Sequence, residues 1–214
     1  MPSREWKRIS RRQGWFPGET VITGIGQGYM LATPLQLAQA TALIASHGKW
    51  HRPRLLRDAD GMSPEQLMDA DLLARRDTPA DIVAKDPRYW DMVTRGMVDV
   101  VHSARGTAHK LGATAAYQIA GKSGTAQVVA IRQGEKYDRN KLRDRHRDHA
   151  LFVAFAPAED PKIAVAVMVE NGESGSGVAG PVAKQVLDAW LLDGNGRLKP
   201  EFAPRPAAEV AREH

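Results

Sequence analysis

The 214 residues predict an α+β fold in which helices come first, a short antiparallel sheet follows, and one last helix packs on that sheet. Two changes of hydrophobic period carry this prediction. Apolar residues recur at helical spacing up to Val101, alternate in strand fashion from 117, and return to helical spacing from about 181. A third observation is the pair Thr33-Pro34, a helix start with threonine as N-cap and proline in the first helical position.

Residues 1 to 20 are basic and aromatic, with Trp6, Trp15 and Phe16, and close on the turn-like Pro17-Gly18-Glu19. Val21, Ile22 and Ile25 lead into Gly24-Ile25-Gly26-Gln27-Gly28. The helix that starts at Thr33 carries Leu35, Leu37, Ala38, Ala40, Ala42, Leu43 and Ile44 and stops at Gly48, and so apolar a helix is expected to be buried. Ser63-Pro64-Glu65-Gln66 reads as a capping-box start for a short helix in the polar stretch 52–87. A stronger helix follows Asp86-Pro87, with Trp90, Val93, Met97 and Val101 on one stripe, and stops before Ser103-Ala104-Arg105-Gly106-Thr107. Strands are predicted at about 117–121, 124–132, 149–157 and 162–170, with the charged stretch 133–148 as a loop. Val165 and Val167 line one face of the last strand, Ala164, Ala166 and Met168 the other, so both faces are covered. Gly172 to Gly180 reads as a loop, 181–192 as a helix, and 194–214 as a flexible C-terminal tail after a domain spanning 1–193.

Composition narrows the function classes. With 43% hydrophobic and 26% charged residues the chain is of globular type. It has no cysteine, which removes disulfide scaffolds, thiolate zinc sites and cysteine nucleophiles together. The net charge of +5 concentrates in Arg4 to Arg12 and Arg132 to Arg147, without the interleaved aromatics of a nucleic-acid platform, so no nucleic acid is expected as partner. No apolar run reaches the roughly 18 residues of a membrane span, and the N-terminus lacks the apolar core of a signal peptide.

Several stretches imitate a catalytic or binding motif. Gly24-x-Gly26-x-Gly28 lacks the Gly-x-Gly-x-x-Gly spacing of a dinucleotide site and reads as a tight turn. Ser46-His47-Gly48-Lys49 spells Ser-x-x-Lys, but at a helix C-terminus, where lysine and serine are not held one turn apart. His146 and His149 stand among cations and have no third ligand nearby, so no metal or other cofactor is expected. Asp148-His149, just before a strand, reads as a hydrogen-bonded hinge. Ile119-Ala-Gly-Lys122-Ser123-Gly124-Thr125-Ala-Gln127 is different in kind. A cation, two hydroxyls and an accessible strand edge suit an extended peptide ending in a carboxylate, and Gly124 lets a backbone come close.

Lys122-Ser123-Gly124 is similar to the third signature of the penicillin-recognising serine enzymes, Lys-Thr/Ser-Gly. Nine blocks in order extend the likeness, among them Pro-Ser-Arg-Glu-Trp-Lys at 2–7, Gly-Ile-Gly-Gln-Gly-Tyr at 24–29, Ala-Thr-Pro-Leu-Gln-Leu-Ala at 32–38, Gly-Thr-Ala-His-Lys at 106–110 and Arg-Asp-His at 147–149. Together they resemble the C-terminal part of the class B penicillin-binding proteins of the elongation machinery, the penicillin-binding protein 2 family.

That resemblance implies a partial penicillin-binding-protein/β-lactamase-like transpeptidase fold. It implies acyl transfer from D-Ala-D-Ala stem peptides in cell-wall elongation, with β-lactam antibiotics as mimics of the substrate and elongation-machinery membrane proteins as partners. By the same resemblance Lys122 is catalytic, supplying charge at the substrate carboxylate and steadying the middle-motif serine, Ser123 and Thr125 bind that carboxylate, and Gly124 and Gln127 are substrate-binding residues too. The Thr125 backbone N–H forms half of an oxyanion hole. The family's place is the periplasmic face of the inner membrane. Its Ser-x-Asn motif occurs nowhere in these 214 residues, and no helical Ser-x-x-Lys does either. The chain is therefore expected to be about the last third of such an enzyme, inactive alone. A catalytically inert partner-binding module of the same fold and a β-lactamase or D,D-carboxypeptidase relative are the alternatives, the second disfavoured by the Gly-Ile-Gly-Gln-Gly and Arg-Glu-Trp-Lys blocks.

Overall fold

A computed structural model describes residues 2–53, 79–128 and 143–203. The expected capping-box helix at Ser63 and the strand residues 129–132 lie outside them. Helix α1 (Arg4–Arg11) is capped by Ser3, whose hydroxyl accepts the Trp6 N–H at 3.0 Å, and it ends at Arg12 in the left-handed region (φ 52°). The turn expected at Pro17 is instead the first turn of α2 (Pro17–Gly24). Proline suits position N1, and Glu19 reaches back to accept the Phe16 N–H at 2.8 Å, which gives the segment a helical start.

Helix α3 (Pro34–Ala45) has the predicted start as a full capping box. Gln36 N–H donates to the Thr33 hydroxyl at 3.2 Å, and Thr33 N–H donates to the Gln36 side chain at 2.9 Å. It is not the buried helix expected from its composition. Only Thr41 and Leu43 are buried, while Leu35 stays 58% exposed. Its apolar residues go all round, and the sheet covers one side of it only. Helix α4 (Arg88–His102) follows Pro87 as predicted and buries Met97 and Val101, and the short α5 (His109–Gly112) buries Leu111.

The sheet is β1 (Ala120–Ala126), β2 (His149–Ala156) and β3 (Ile163–Val169), antiparallel and in that order. The two strands expected at 117–121 and 124–132 are one strand, because nothing between Gly121 and Gly124 turns the chain. Thr125 lies opposite Ala150, Lys122 opposite Val153, and Phe152 opposite Val167. A π-helical turn (Gly175–Ala179), within the segment read as a loop, runs straight into α6 (Gly180–Leu191).

The sheet separates two apolar layers. Ala150, Phe152, Ala154 and Val165 pack with Leu111, Ala183 and Leu187 under α6. Ala120 and Phe155, on the other face, pack with Met97, Ile44 and Ala45 of α4 and α3. The Tyr117 hydroxyl donates to Asp188 at 2.7 Å, and Lys184 closes on the same carboxylate at 2.6 Å. The tail expected to be loose after 193 is packed as far as 203. Leu192 pairs with Leu198, Leu198 and Phe202 lie against the core, and Asp193 accepts the N–H groups of Asn195 and Arg197 at 2.9 Å each.

Candidate functional site on strand β1

Three hydrogen bonds made by backbone groups of this segment fix which way each residue of β1 points. Ala158 N–H donates to Gln118 O at 2.9 Å on the β2 side, Ile119 N–H donates to His102 Nε2 at 2.9 Å on the opposite side, and Gln27 Nε2 donates to Thr125 O at 2.6 Å. Since N–H and C=O of one strand residue point the same way and successive residues alternate, Lys122 and Gly124 bond to β2. Ser123 and Thr125 direct their N–H and C=O groups to the edge of β1 away from β2, where no described strand pairs with them.

Side chains alternate across the other axis. Ser123 and Thr125 share the face of Phe152 and Ala150, and Lys122 and Gly124 the face of Val153 and Leu151. Lys122 is exposed, and its Nζ curls round to donate to Ser123 O, which brings the ammonium to the outward edge. The Ser123 hydroxyl lies 3.4 Å from that of Thr107. Gln127, just past the strand, is exposed and makes no hydrogen bond to a described residue. Thus Lys122, Ser123, Gly124 and Thr125 come together on one open edge, and Gln127 stands beside it.

Two supports of this strand were not read from the sequence. Gln27 reaches it from a loop 98 residues away, built on Gly26 (φ 76°) and Gly28 (φ 69°), where left-handed backbone favours glycine. This is the Gly-x-Gly-x-Gly run read as a tight turn, and it is one. The second is Gly175, whose hypothetical Cβ would lie 2.5 Å from Leu151 O and 2.6 Å from Gly124 O, so the π-helical turn sits directly on β1 and β2. A Cβ on Gly124 would meet only Leu151 Cβ, at 3.4 Å, so it is the side chain missing from Gly175, not from Gly124, that this packing requires. Single π-helical turns joined to α-helices are frequent at functional sites.

The decoys keep their bland geometry. The Ser46 hydroxyl donates to backbone carbonyls, Ala42 O at 2.8 Å and Lys49 O at 2.9 Å, and makes no hydrogen bond to a lysine amine among the described residues. Asn171 N–H donates to His149 Nδ1 at 3.0 Å and its side chain donates to Arg147 O at 2.8 Å, while Glu173 N–H donates to Asp148 O at 2.9 Å. That network is the expected hinge. No cluster of metal-ligating side chains is found among the described residues. An open cleft of about 680 Å³ is lined by Arg4, Arg8, Arg12, Gln13, Gly14 and Trp15, so the basic N-terminal cluster forms a surface of its own, with no residue of β1 in it.

Residues 6–188 match the family described as penicillin binding protein transpeptidase domain. The chain is 42% identical over 191 residues to the peptidoglycan D,D-transpeptidase MrdA of Haemophilus influenzae, covering 89% of this chain and 28% of that protein. Among solved structures it is similar to PBP2 of Pseudomonas aeruginosa in complex with WCK 5153, with 60% identity and a TM-score of 0.78, covering 96% of this chain and 41% of that one. It is also similar to PBP2 of Helicobacter pylori in complex with MreC, with 31% identity and a TM-score of 0.68, covering 89% and 31%. The chain thus spans less than half the length of each of these three relatives. With the helix-flanked antiparallel sheet and the Lys-Ser-Gly-Thr edge strand in these positions, the chain belongs to the penicillin-binding protein transpeptidase domain family.

Proposed function

We propose that this chain supplies the substrate-holding wall of a peptidoglycan D,D-transpeptidase site, with β1 gripping the D-Ala-D-Ala end of a stem peptide. The observation that carries this reading is the open edge of β1, where the Lys122 ammonium and the outward N–H groups of Ser123 and Thr125 converge. A carboxylate placed there meets a cation and the Ser123 and Thr125 hydroxyls, which are charge-assisted partners. The Thr125 N–H is directed at the carbonyl that becomes an oxyanion when a nucleophile attacks, and one such donor is typically worth about 100- to 1000-fold in rate. Gly124 puts no side chain beneath the ligand, and Gln127 extends the binding edge past the strand end. A β-lactam, which mimics D-Ala-D-Ala, occupies the same edge.

The nucleophile is not among the residues that converge on β1. Ser46, the one serine spelled Ser-x-x-Lys, is bonded to backbone carbonyls. The part performed by these residues is therefore binding and polarisation, and acyl transfer belongs to the whole enzyme. Residues 1–193 form the C-terminal portion of the transpeptidase domain, and the packed segment to 203 is its continuation. The site acts at the periplasmic face of the inner membrane together with elongation-machinery membrane proteins. No described helix is long and apolar enough to cross a membrane.

Titration of the isotope-labelled chain with an acetylated tripeptide ending in D-Ala-D-Ala is expected to shift the amides of Ser123 and Thr125. Lys122→Met is expected to weaken that binding by about tenfold or more, the scale of one charge-assisted hydrogen bond. Equal affinity in the variant would remove Lys122 from the site. Incubation with a fluorescent penicillin is expected to leave no covalent label, and a labelled band would place a nucleophile within these 214 residues.

A second reading rests on the exposed apolar side chains of Val21, Ile25, Leu31 and Leu35, which suit a protein contact. In that reading the fold is an inert module that binds partners. Partner binding that survives Lys122→Met, with no peptide binding in the parent chain, would favour it.

A further inference from the structure

An edge strand that accepts an extended peptide must offer donors and acceptors in alternation, since the incoming strand brings both. The edge of β1 is not balanced in this way. Its two outward carbonyls in the signature segment are already engaged by side chains of the chain itself, Thr125 O by the Gln27 amide at 2.6 Å and Ser123 O by the Lys122 ammonium. The N–H groups of Ser123 and Thr125 point the same way and meet no described acceptor. At rest the edge presents donors only.

The two caps differ in kind. Lys122 bonds to its own neighbour through a long side chain and is free to swing to a ligand. Gln27 belongs to a loop held from several sides. Its N–H donates to Ile22 O at 3.0 Å, Met30 N–H donates to its carbonyl at 3.4 Å, and the ring of the nearby Tyr29 packs on Trp6 at 5.3 Å. The anchored loop holds the amide against the strand.

We propose that Gln27 is a strand-edge gate, which occupies the Thr125 acceptor until a ligand that brings its own N–H displaces it. Building on the reading of β1 as the peptide-binding edge, the gate makes the site take a carboxylate or carbonyl first and admit strand pairing second. It also blunts the edge against chance pairing with other chains, a general hazard of exposed strands. A ligand N–H that replaces the Gln27 amide exchanges one hydrogen bond for another. A ligand N–H that meets an unoccupied Thr125 carbonyl adds one.

Two peptides and three proteins test this. The peptides are the acetylated tripeptide ending in D-Ala-D-Ala and the same tripeptide methylated on its backbone amide nitrogens. The proteins are the parent chain, Gln27→Met, which keeps the length without a donor, and Gln27→Ala. Both variants are expected to bind the unmethylated peptide roughly three- to tenfold tighter than the parent, the scale of one net hydrogen bond. All three proteins are expected to bind the methylated peptide alike. In the parent, the Gln27 side-chain amide signal is expected to move to its unbonded position as the unmethylated peptide saturates. Equal affinities with an unmoved Gln27 signal overturn the gate and leave the peptide-binding reading standing. Weaker binding by both variants makes Gln27 a brace for the strand and also overturns the gate. No binding by any of the three proteins overturns the peptide-binding reading itself, and the gate with it.

Discussion

Single residues decide how sharply the β1 edge is held, and Gly175 is the most exacting of them. Its missing side chain is what allows the π-helical turn to sit on the backbone of Gly124 and Leu151. An added methyl meets two carbonyl oxygens and the Gly124 nitrogen, all backbone atoms that no rotamer change can move aside. Gly175→Ala must therefore push the turn off the strand or bend the strand itself. The expected cost is about 1–3 kcal/mol, typical of overpacking in a closed site, measured by chemical denaturation. Shifted amide resonances at Gly124 and Leu151 should accompany it. Unchanged stability and unchanged resonances at both positions would mean that the turn is not seated on the strand.

At the level of elements, α1 and α2 are joined through one buried cation. Lys7 is 1% exposed, bonded to the Glu19 carboxylate and set over the Phe16 ring at 4.4 Å. The Lys7 ammonium first, and the Phe16 N–H second, hold the Glu19 carboxyl below its ordinary value of 4.5. A carboxyl with a lowered folded value contributes stability that is complete above about 4.5 and is lost as pH falls through the folded value. Amide exchange in α1 should therefore accelerate, relative to that in β2, as pH drops below that range, after correction for intrinsic exchange. Glu19→Gln should show the faster exchange already at neutral pH. Identical α1 protection in Glu19→Gln would remove the clamp. The sequence made the helix starts at Thr33 and Pro87 legible, and the Lys122 strand too, because capping and alternation are local signals. It hid α2, since Pro17-Gly18-Glu19 suits a turn as well as a helix start until Glu19 is seen to close on Phe16 and Lys7. Gln27 and Gly175 were hidden for a related reason, their partners lying far along the chain. The packed segment after Gly194 was misread because its composition is that of a linker, whereas Leu198 and Phe202 anchor it to the core.

On the scale of the whole molecule, the sheet has two edges, β1 and β3, that no described strand covers, and they are of unlike character. On β1 the outward carbonyls are capped by Gln27 and Lys122. On β3 nothing comparable appears among the described residues. Lys162 N–H donates to Ala156 O at 2.9 Å, which marks Ala156 as facing β3. Alternation along the register then turns the N–H and C=O groups of Ala164, Ala166 and Met168 outward. This edge is apolar, and Met168 itself is 41% exposed. Exposed Ile25, Leu31 and Leu35 add apolar surface elsewhere on the molecule. An uncovered apolar edge is a template for pairing with another chain, so the isolated 214-residue chain should self-associate as its concentration rises. Met168→Pro removes an outward N–H and an exposed apolar side chain without touching the core, and proline is tolerated where the missing N–H faces solvent. Sedimentation over a range of concentrations should show association in the parent chain and markedly less in the variant, at unchanged circular dichroism. Association of equal strength in both would move the contact away from β3, to the apolar side chains around α2 and α3. A parent chain that stays monomeric and melts in one sharp transition would show that neither surface is adhesive.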